Sequence, residues 1–399
     1  MQSTPLASAP ATPLPVAPAS LAAAFASVPD PRRAGSVSYS LGAILTLAVA
    51  AILANHTSVL AMAEWGARQP VDLLARLGFP TGRTPCQSTL QRLFAKLDGH
   101  ALATVLATHF AGVAAAGRAE VEGVAVDGKA FRGRLQYAEG GCPVHALTAF
   151  CHTQGIVLAH APIEQGTDKA EAELTVAPAL LAQIDWRNRV LTGDALFCQR
   201  HLCRQVRQAG GDYLLLVKEN QPTLCAAIRL LFDAPPDAAL PLVDRREART
   251  VERGHGRLDD TRHLIASTDL TSYLDWPGLG QVFRLEHTWR ERGHTKRHLH
   301  YGITSLPPER GTPEQLLSLK RGHWAIENRL HRGKDVALGE DASLIHVGHG
   351  PTVLALLREA ALSLLYRTGV RCVRAQLRAY GQRPDMAAAL VVTPPPARA

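Results

Sequence analysis

The sequence predicts an α/β protein: a mixed sheet with flanking helices, carrying an antiparallel β-rich insertion and preceded by a small all-helical domain. Three observations predict it. Residues 21–117 carry helical periodicity only, short β-type runs begin after Arg118 and later alternate with helical stretches, and residues 239–306 hold charged runs with a period of two. Strands that first meander and then alternate with helices make a mixed sheet covered by helices. At 399 residues and 46% hydrophobic content the chain can bury a sizeable core. The expected division is a disordered tail at 1–20, a helical domain at 21–117, a core built from 118–238 and 307–369, the β-rich insertion at 239–306, and a basic, partly disordered tail at 370–399.

Within the helical domain the expected helices are Leu41 to Ala54, Val59 to Ala67, Val71 to Leu77 and Ser88 to Leu97, punctuated by Pro70, Pro80 and Pro85. The first of these is apolar throughout but too short to span a bilayer, so it reads as a buried helix and no membrane segment is expected. The last points Leu90, Leu93, Phe94 and Leu97 inward, with Ser88 as its cap and Gln91 and Arg92 outward. Such a helix after a short turn is either an ordinary surface helix or one that enters a major groove.

In the core the expected strands are Val121 to Val126, Val144 to Phe150, Gly155 to Pro162, Arg189 to Thr192 and Asp212 to Val217, with helices at Ala170 to Ile184 and Cys198 to Ala209. A net charge of +8 makes a polyanion the partner to consider first. The seven cysteines show no paired framework and read as reduced thiols of a cytoplasmic protein; Cys198, His201 and Cys203 lack the second half that a zinc site needs.

The chemistry concentrates at three carboxylates. Asp127 closes the apolar run Val124-Ala125-Val126, and Asp194 closes Val190-Leu191-Thr192-Gly193. Carboxylates at strand ends project into the crevice where ligands of α/β sheets lie, although each aspartate alone also reads as a turn residue. Glu327 lies in a later helical stretch that begins after Pro313, where a period of 3.6 groups Lys320, His323, Trp324, Glu327, His331 and Lys334 on one face. Together the three carboxylates would make a hard oxygen cage for divalent cations, and two such ions about 4 Å apart serve phosphodiester chemistry.

The motifs Val126-Asp127-Gly128-Lys129 with Arg132-Gly133, Thr192-Gly193-Asp194-Ala195, Lys218-Glu219-Asn220-Gln221, His255-Gly256-Arg257 and Gly322-His323-Trp324-Ala325-Ile326-Glu327-Asn328 follow one another in the order seen in a known family. The chain resembles the DDE transposases of bacterial insertion sequences, in the branch of the H-repeat-associated proteins, from about Leu21 to Gly369. The resemblance implies a ribonuclease H-like catalytic fold and metal-dependent DNA cleavage and strand transfer at element ends. It implies Asp127, Asp194 and Glu327 as catalytic metal ligands, and Mg2+ as cofactor, in two copies, with Mn2+ able to substitute. Double-stranded DNA, both element ends and target, is the implied partner, with a homodimer in the DNA complex and a location at the bacterial nucleoid in the cytoplasm. Lys129, Arg132, Lys218, Asn220, Gln221, His255, Arg257, His323 and Lys334, together with Gln91 and Arg92, are the expected DNA contacts. The chain departs from the wider superfamily where Lys320 and His323 stand in place of a tyrosine and an arginine, and from its own branch where Arg332 replaces a tryptophan. A metal-dependent nuclease of the same fold, and a non-catalytic DNA-binding protein, remain the alternatives.

Overall fold

A computed structural model describes residues 20–115, 119–130, 145–163, 169–233, 243–254, 257–291 and 294–394. Residues 1–19 of the expected amino-terminal tail therefore lie outside the described residues, and Ser20 is buried as the cap of the first helix. Six helices open the chain: α1 (Leu21–Phe25), α2 (Leu41–Leu53), α3 (Val59–Ala67), α4 (Val71–Arg76), α5 (Gln87–Lys96) and α6 (Gly99–Ala115). Serine hydroxyls start the first three, each accepting a hydrogen bond from a first-turn amide, as for Ser40 and Ala43. The expected cap of α5 shifts: Cys86 holds that position and Ser88 lies inside the first turn.

The sheet begins with β1 (Glu122–Ala130), β2 (His145–Cys151) and β3 (Val157–Ile163), followed by α7 (Lys169–Leu181), β4 (Arg189–Gly193), α8 (Arg200–Gln208), β5 (Asp212–Val217) and α9 (Pro222–Asp233). Then come β6 (Arg246–Gly254), β7 (Arg257–Ser267), β8 (Gln281–Glu291) and β9 (His294–Thr304). All nine form one sheet in the order β3-β2-β1-β4-β5-β9-β8-β7-β6. β1 pairs antiparallel with β2 but parallel with β4, and β4 pairs parallel with β5. The insertion extends this sheet, because β9 pairs antiparallel with β5. Close packing there requires Gly302: a Cβ would lie 2.1 Å from the ring of Phe283 on the neighbouring strand.

The pleat sorts side chains between two faces. Val190, Leu214, Leu216, Leu264, Phe283 and Leu285 pack beneath α10 (Pro313–Gly322), whose Leu316, Leu317 and Leu319 complete that layer. Alternating residues, including Leu191, Tyr213 and Leu215, belong to the larger core on the other face. That core also holds α2 and the long buried helix α11 (Gly350–Arg367), so the amino-terminal helices and the sheet share one hydrophobic interior.

Two expectations need correction. The helix carrying Glu327 does not continue with regular geometry. After α10, which starts on a capping box between Thr312 and Gln315, the chain turns through His323 into π-helical segments at Ile326–His331 and Gly333–Ala337. Wider turns break the single face that a 3.6 period implies: Trp324 is 54% exposed while Lys334 is 2% exposed. The basic tail is likewise ordered over α12 (Val373–Gln382) and α13 (Pro384–Val392), because its spaced apolar residues Leu377, Tyr380, Ala387, Ala388 and Val391 bury against the rest of the core. Burying a residue such as Leu or Val is worth about 1.5–3 kcal/mol. Removing residues 370–399 is therefore expected to lower the thermal midpoint and raise binding of a hydrophobic dye, as α2 loses its cover; a truncated chain that melts with the full-length protein would contradict the packing.

Candidate functional site

Glu122 pairs with Arg189 and Ala125 with Thr192 across the parallel β1–β4 ladder. Continuing that register by two residues brings Asp127 level with Asp194. Both lie an even step from residues that meet the α10 side, Asp127 from Gly123 and Asp194 from Val190 and Thr192, so both carboxylates face that layer. Asp194 is exposed and caps a short 3-10 turn, accepting a hydrogen bond from the Leu196 amide at 2.8 Å. Asp127 is partly exposed, accepts from the Gly128 amide at 3.0 Å and meets His331 Nδ1 at 3.6 Å. Only glycine fits beside it: a Cβ on Gly128 would fall 2.1 Å from Oε1 of buried Glu173.

Glu327 is exposed and stands between two contacts of its own segment with the sheet. His323 Nδ1 meets the Thr192 hydroxyl at 3.3 Å, and His331 meets Asp127. Arg329 anchors the segment from behind, donating to the His152 carbonyl at 2.8 Å and packing over the Tyr366 ring. The Tyr366 hydroxyl in turn donates to the Arg329 carbonyl at 2.7 Å. Thr192 also meets His152 Nε2 at 2.9 Å. Gly123 and Gly322 make room for that imidazole, since a Cβ on either would come within 2.4 Å of it. His152, Thr192 and Arg329 are thus parts of the site that motif spacing did not pick out; their partners become neighbours only when the sheet and α10 close together.

Burial keeps both rings neutral. It pushes the His152 imidazole down to about 3, with His323 and Lys320 adding to the effect, and the His323 imidazole to about 3, with Lys320 adding. Burial and Lys218 lower the Lys320 ammonium to about 8 against the opposing charge of Asp194. His300, on β9, is held at about 4 by burial and by the nearby cations.

The expected DNA contacts divide sharply. Lys218 is exposed at the end of β5, and Gln91 and Arg92 are exposed on α5. Asn220 and Gln221 hold the turn that follows Asp194, donating to the carbonyls of Ala195 at 2.6 Å and Cys198 at 3.0 Å. Two lysines are corrections. Lys334 cannot meet a phosphate, because its Nζ lies inside the core, 2.7 Å from Glu359 and 3.1 Å from Glu340. Burial acts to lower its pKa, and the two carboxylates more than reverse this. Lys129 is 8% exposed and pairs with Asp335 at 2.7 Å. Arg132 and His255 lie outside the described residues, as does the side chain of Arg257.

Among the described residues no group of three His, Cys, Asp or Glu stands close enough to hold a metal ion. The donor chemistry nevertheless suits a hard divalent cation: Asp127, Asp194 and Glu327 each carry carboxylate oxygens on a residue that is at least partly exposed.

Residues 22–110 match the family described as DDE_Tnp_1-associated, and residues 119–364 match the transposase DDE domain. The second match spans more than half of the chain, which therefore belongs to the DDE transposase family, in the H-repeat branch. "Putative transposase YncI" of Escherichia coli O157:H7 is 26% identical over 345 residues, 85% of each chain. "H repeat-associated putative transposase YhhI" of Escherichia coli K12 is 25% identical over 361 residues, 88% of this chain and 91% of the relative. A solved piggyBac transposase synaptic complex with hairpin DNA matches with a TM-score of 0.43 and 9% identity, covering 94% of this chain and 81% of that one, too low a score to argue from.

Two outcomes are expected from these buried groups. Lys334→Met strands the Glu340 and Glu359 carboxylates and should cost about 3–5 kcal/mol in chemical denaturation. For His152 the unfolded ring takes a proton near 6.5 and the folded ring only near 3, so its contribution to stability is full above 6.5 and falls as the pH drops. His152→Gln should flatten that acid-side decline in unfolding free energy measured between pH 7 and pH 4 (range set by those two values, about three units); an unchanged slope would remove the ring from the account.

Proposed function

We propose that the protein is a DNA transposase that cuts phosphodiester bonds at the ends of an insertion sequence and joins them to target DNA. Asp127, Asp194 and Glu327 are its catalytic carboxylates, and the ribonuclease H-like arrangement of β1 to β5 is their frame. The observation that carries this reading is the parallel β1–β4 register, whose continuation sets Asp127, inside β1, level with Asp194, just past the end of β4, near the segment that bears Glu327. Family membership supports the same class of chemistry.

The three carboxylates would hold Mg2+, or Mn2+ in its place, in two copies. When bound, such cations supply activation of an attacking oxygen and stabilisation of the departing one. The protein's own groups do the rest. Neutral His152 and His323 on either side of Thr192 fix the end of β4, and Arg329 fixes the Glu327 segment, so that the acids are oriented before substrate arrives. Water attacks the phosphorus in line and the 3′-oxygen leaves, taking up a proton as the free 3′-hydroxyl; that hydroxyl then attacks a target phosphodiester and expels the target's own 3′-oxygen. Double-stranded DNA is the partner, handled as two ends by a homodimer at the bacterial nucleoid. No helix among the described residues is long and apolar enough to cross a membrane.

Asp127→Ala, Asp194→Ala and Glu327→Ala should each abolish strand cleavage of an end-containing duplex with Mg2+ while retaining duplex on a gel. Cleavage that survives any one substitution would remove that residue from the site. Joined products support the transposase, nicked products alone a nuclease, and retention without cleavage a DNA-binding protein.

A further inference from the structure

Of the four lysines in the motifs around the acids, two are paired with carboxylates: Lys334 with Glu340 and Glu359, and Lys129 with Asp335. Lys320 is different. It is 9% exposed, yet its ammonium makes no hydrogen bond or ion pair with any described residue; its one recorded contact is the ring of Trp324, 6.0 Å away. Its stem is packed away while its head is bonded to no described residue, which leaves the ammonium available to an anionic ligand.

Its surroundings say which ligand. Leu214 and Leu216 face α10, so two residues further on Lys218 faces it as well. Continuing the pairing of Val217 with Tyr301 sets His300 opposite Lys218. Lys218 also makes no hydrogen bond or ion pair with any described residue, and it is the charges of Lys218 and Asp194 that act on Lys320. Two cations without a bonded partner among the described residues thus face the α10 layer near the carboxylate of Asp194.

We infer that Lys320, assisted by Lys218, receives a DNA phosphate beside Asp194, the role that buried Lys334 cannot take. This inference rests on the proposed action on DNA. A phosphate bound there would displace no hydrogen bond or ion pair that either lysine makes with a described residue. It also explains why α10 carries a lysine at its last full turn, where an apolar residue would pack against the sheet at less cost.

The test uses the full-length protein and a fluorescently labelled duplex without divalent metal, with affinity measured across a salt series. Each phosphate contact contributes a slope of about −0.9 in log K against log salt. Lys320→Gln and Lys218→Gln should each lose about one unit of slope, while Lys320→Arg should keep it. Lys334→Arg, which retains the buried charge, serves as the control whose slope should not change. Thermal melting adds a readout apart from DNA: Lys320→Met should melt no lower than the wild type, because the ammonium it removes is bonded to no described residue. A Lys320→Gln protein that binds with wild-type slope and affinity would overturn the inference and leave the transposase reading intact. A wild-type protein that shows no salt-dependent duplex binding would overturn that reading itself, and the inference with it.

Discussion

Because β1 and β4 run parallel with Glu122 opposite Arg189, whatever follows each apolar run emerges at the same height and on a face set by the pleat. This pairing decides that Asp127 and Asp194 share an edge, that Thr192 lies within reach of both buried imidazoles, and that the later strands present Lys218 and His300 to the same layer. A slip of one residue would turn Asp194 to the opposite side of the sheet. Gly123, Gly128 and Gly302 protect the arrangement by leaving room for a ring or a carboxylate where any side chain would collide.

Charge is distributed by the same economy. Around Lys334 the interior holds Glu340, Glu359, His160 and Arg358, a set in which cations and carboxylates answer one another. Burial alone would raise the Glu359 carboxyl, but His160 and Lys334 together hold it down to about 2. These contacts stitch the segment after Glu327 to α11 and, through His160, to β3. Near Asp194 the opposite holds: the acid is exposed, and Lys218 and Lys320 make no hydrogen bond or ion pair with any described residue.

Much of this was legible in the sequence, for identifiable reasons. An apolar run ending in Asp singles out Asp127 and Asp194 without any tertiary information; Asp194 does follow the last residue of β4, whereas β1 runs on to Ala130, so Asp127 lies inside its strand and not at the end expected for it. The strands of the core and the helices α2 to α5 follow from local periodicity. What local periodicity could not carry was the segment after His323. A helical template assumes 3.6 residues per turn; the turn at His323 and Trp324 that ends α10 leaves Trp324 outward, and beyond the π-helical segments Lys334 points inward. The fate of Lys334 depends on Glu359, 25 residues away and on another helix, a pairing that no motif encodes. The order of α12 and α13 was hidden by their arginines, which face outward while spaced alanines and a few larger residues dock.

The shared interior of the helical region and the sheet has one more implication. α5 packs against α11, which packs against β3, so the exposed Gln91 and Arg92 are joined to the acid edge through solid core rather than through a linker. A duplex held at α5 would meet the carboxylates at a fixed reach along its axis. The protein would then measure distance as well as recognise sequence, and the spacing between a bound motif and the cut bond would be a property of the packing, constant from one element end to the next.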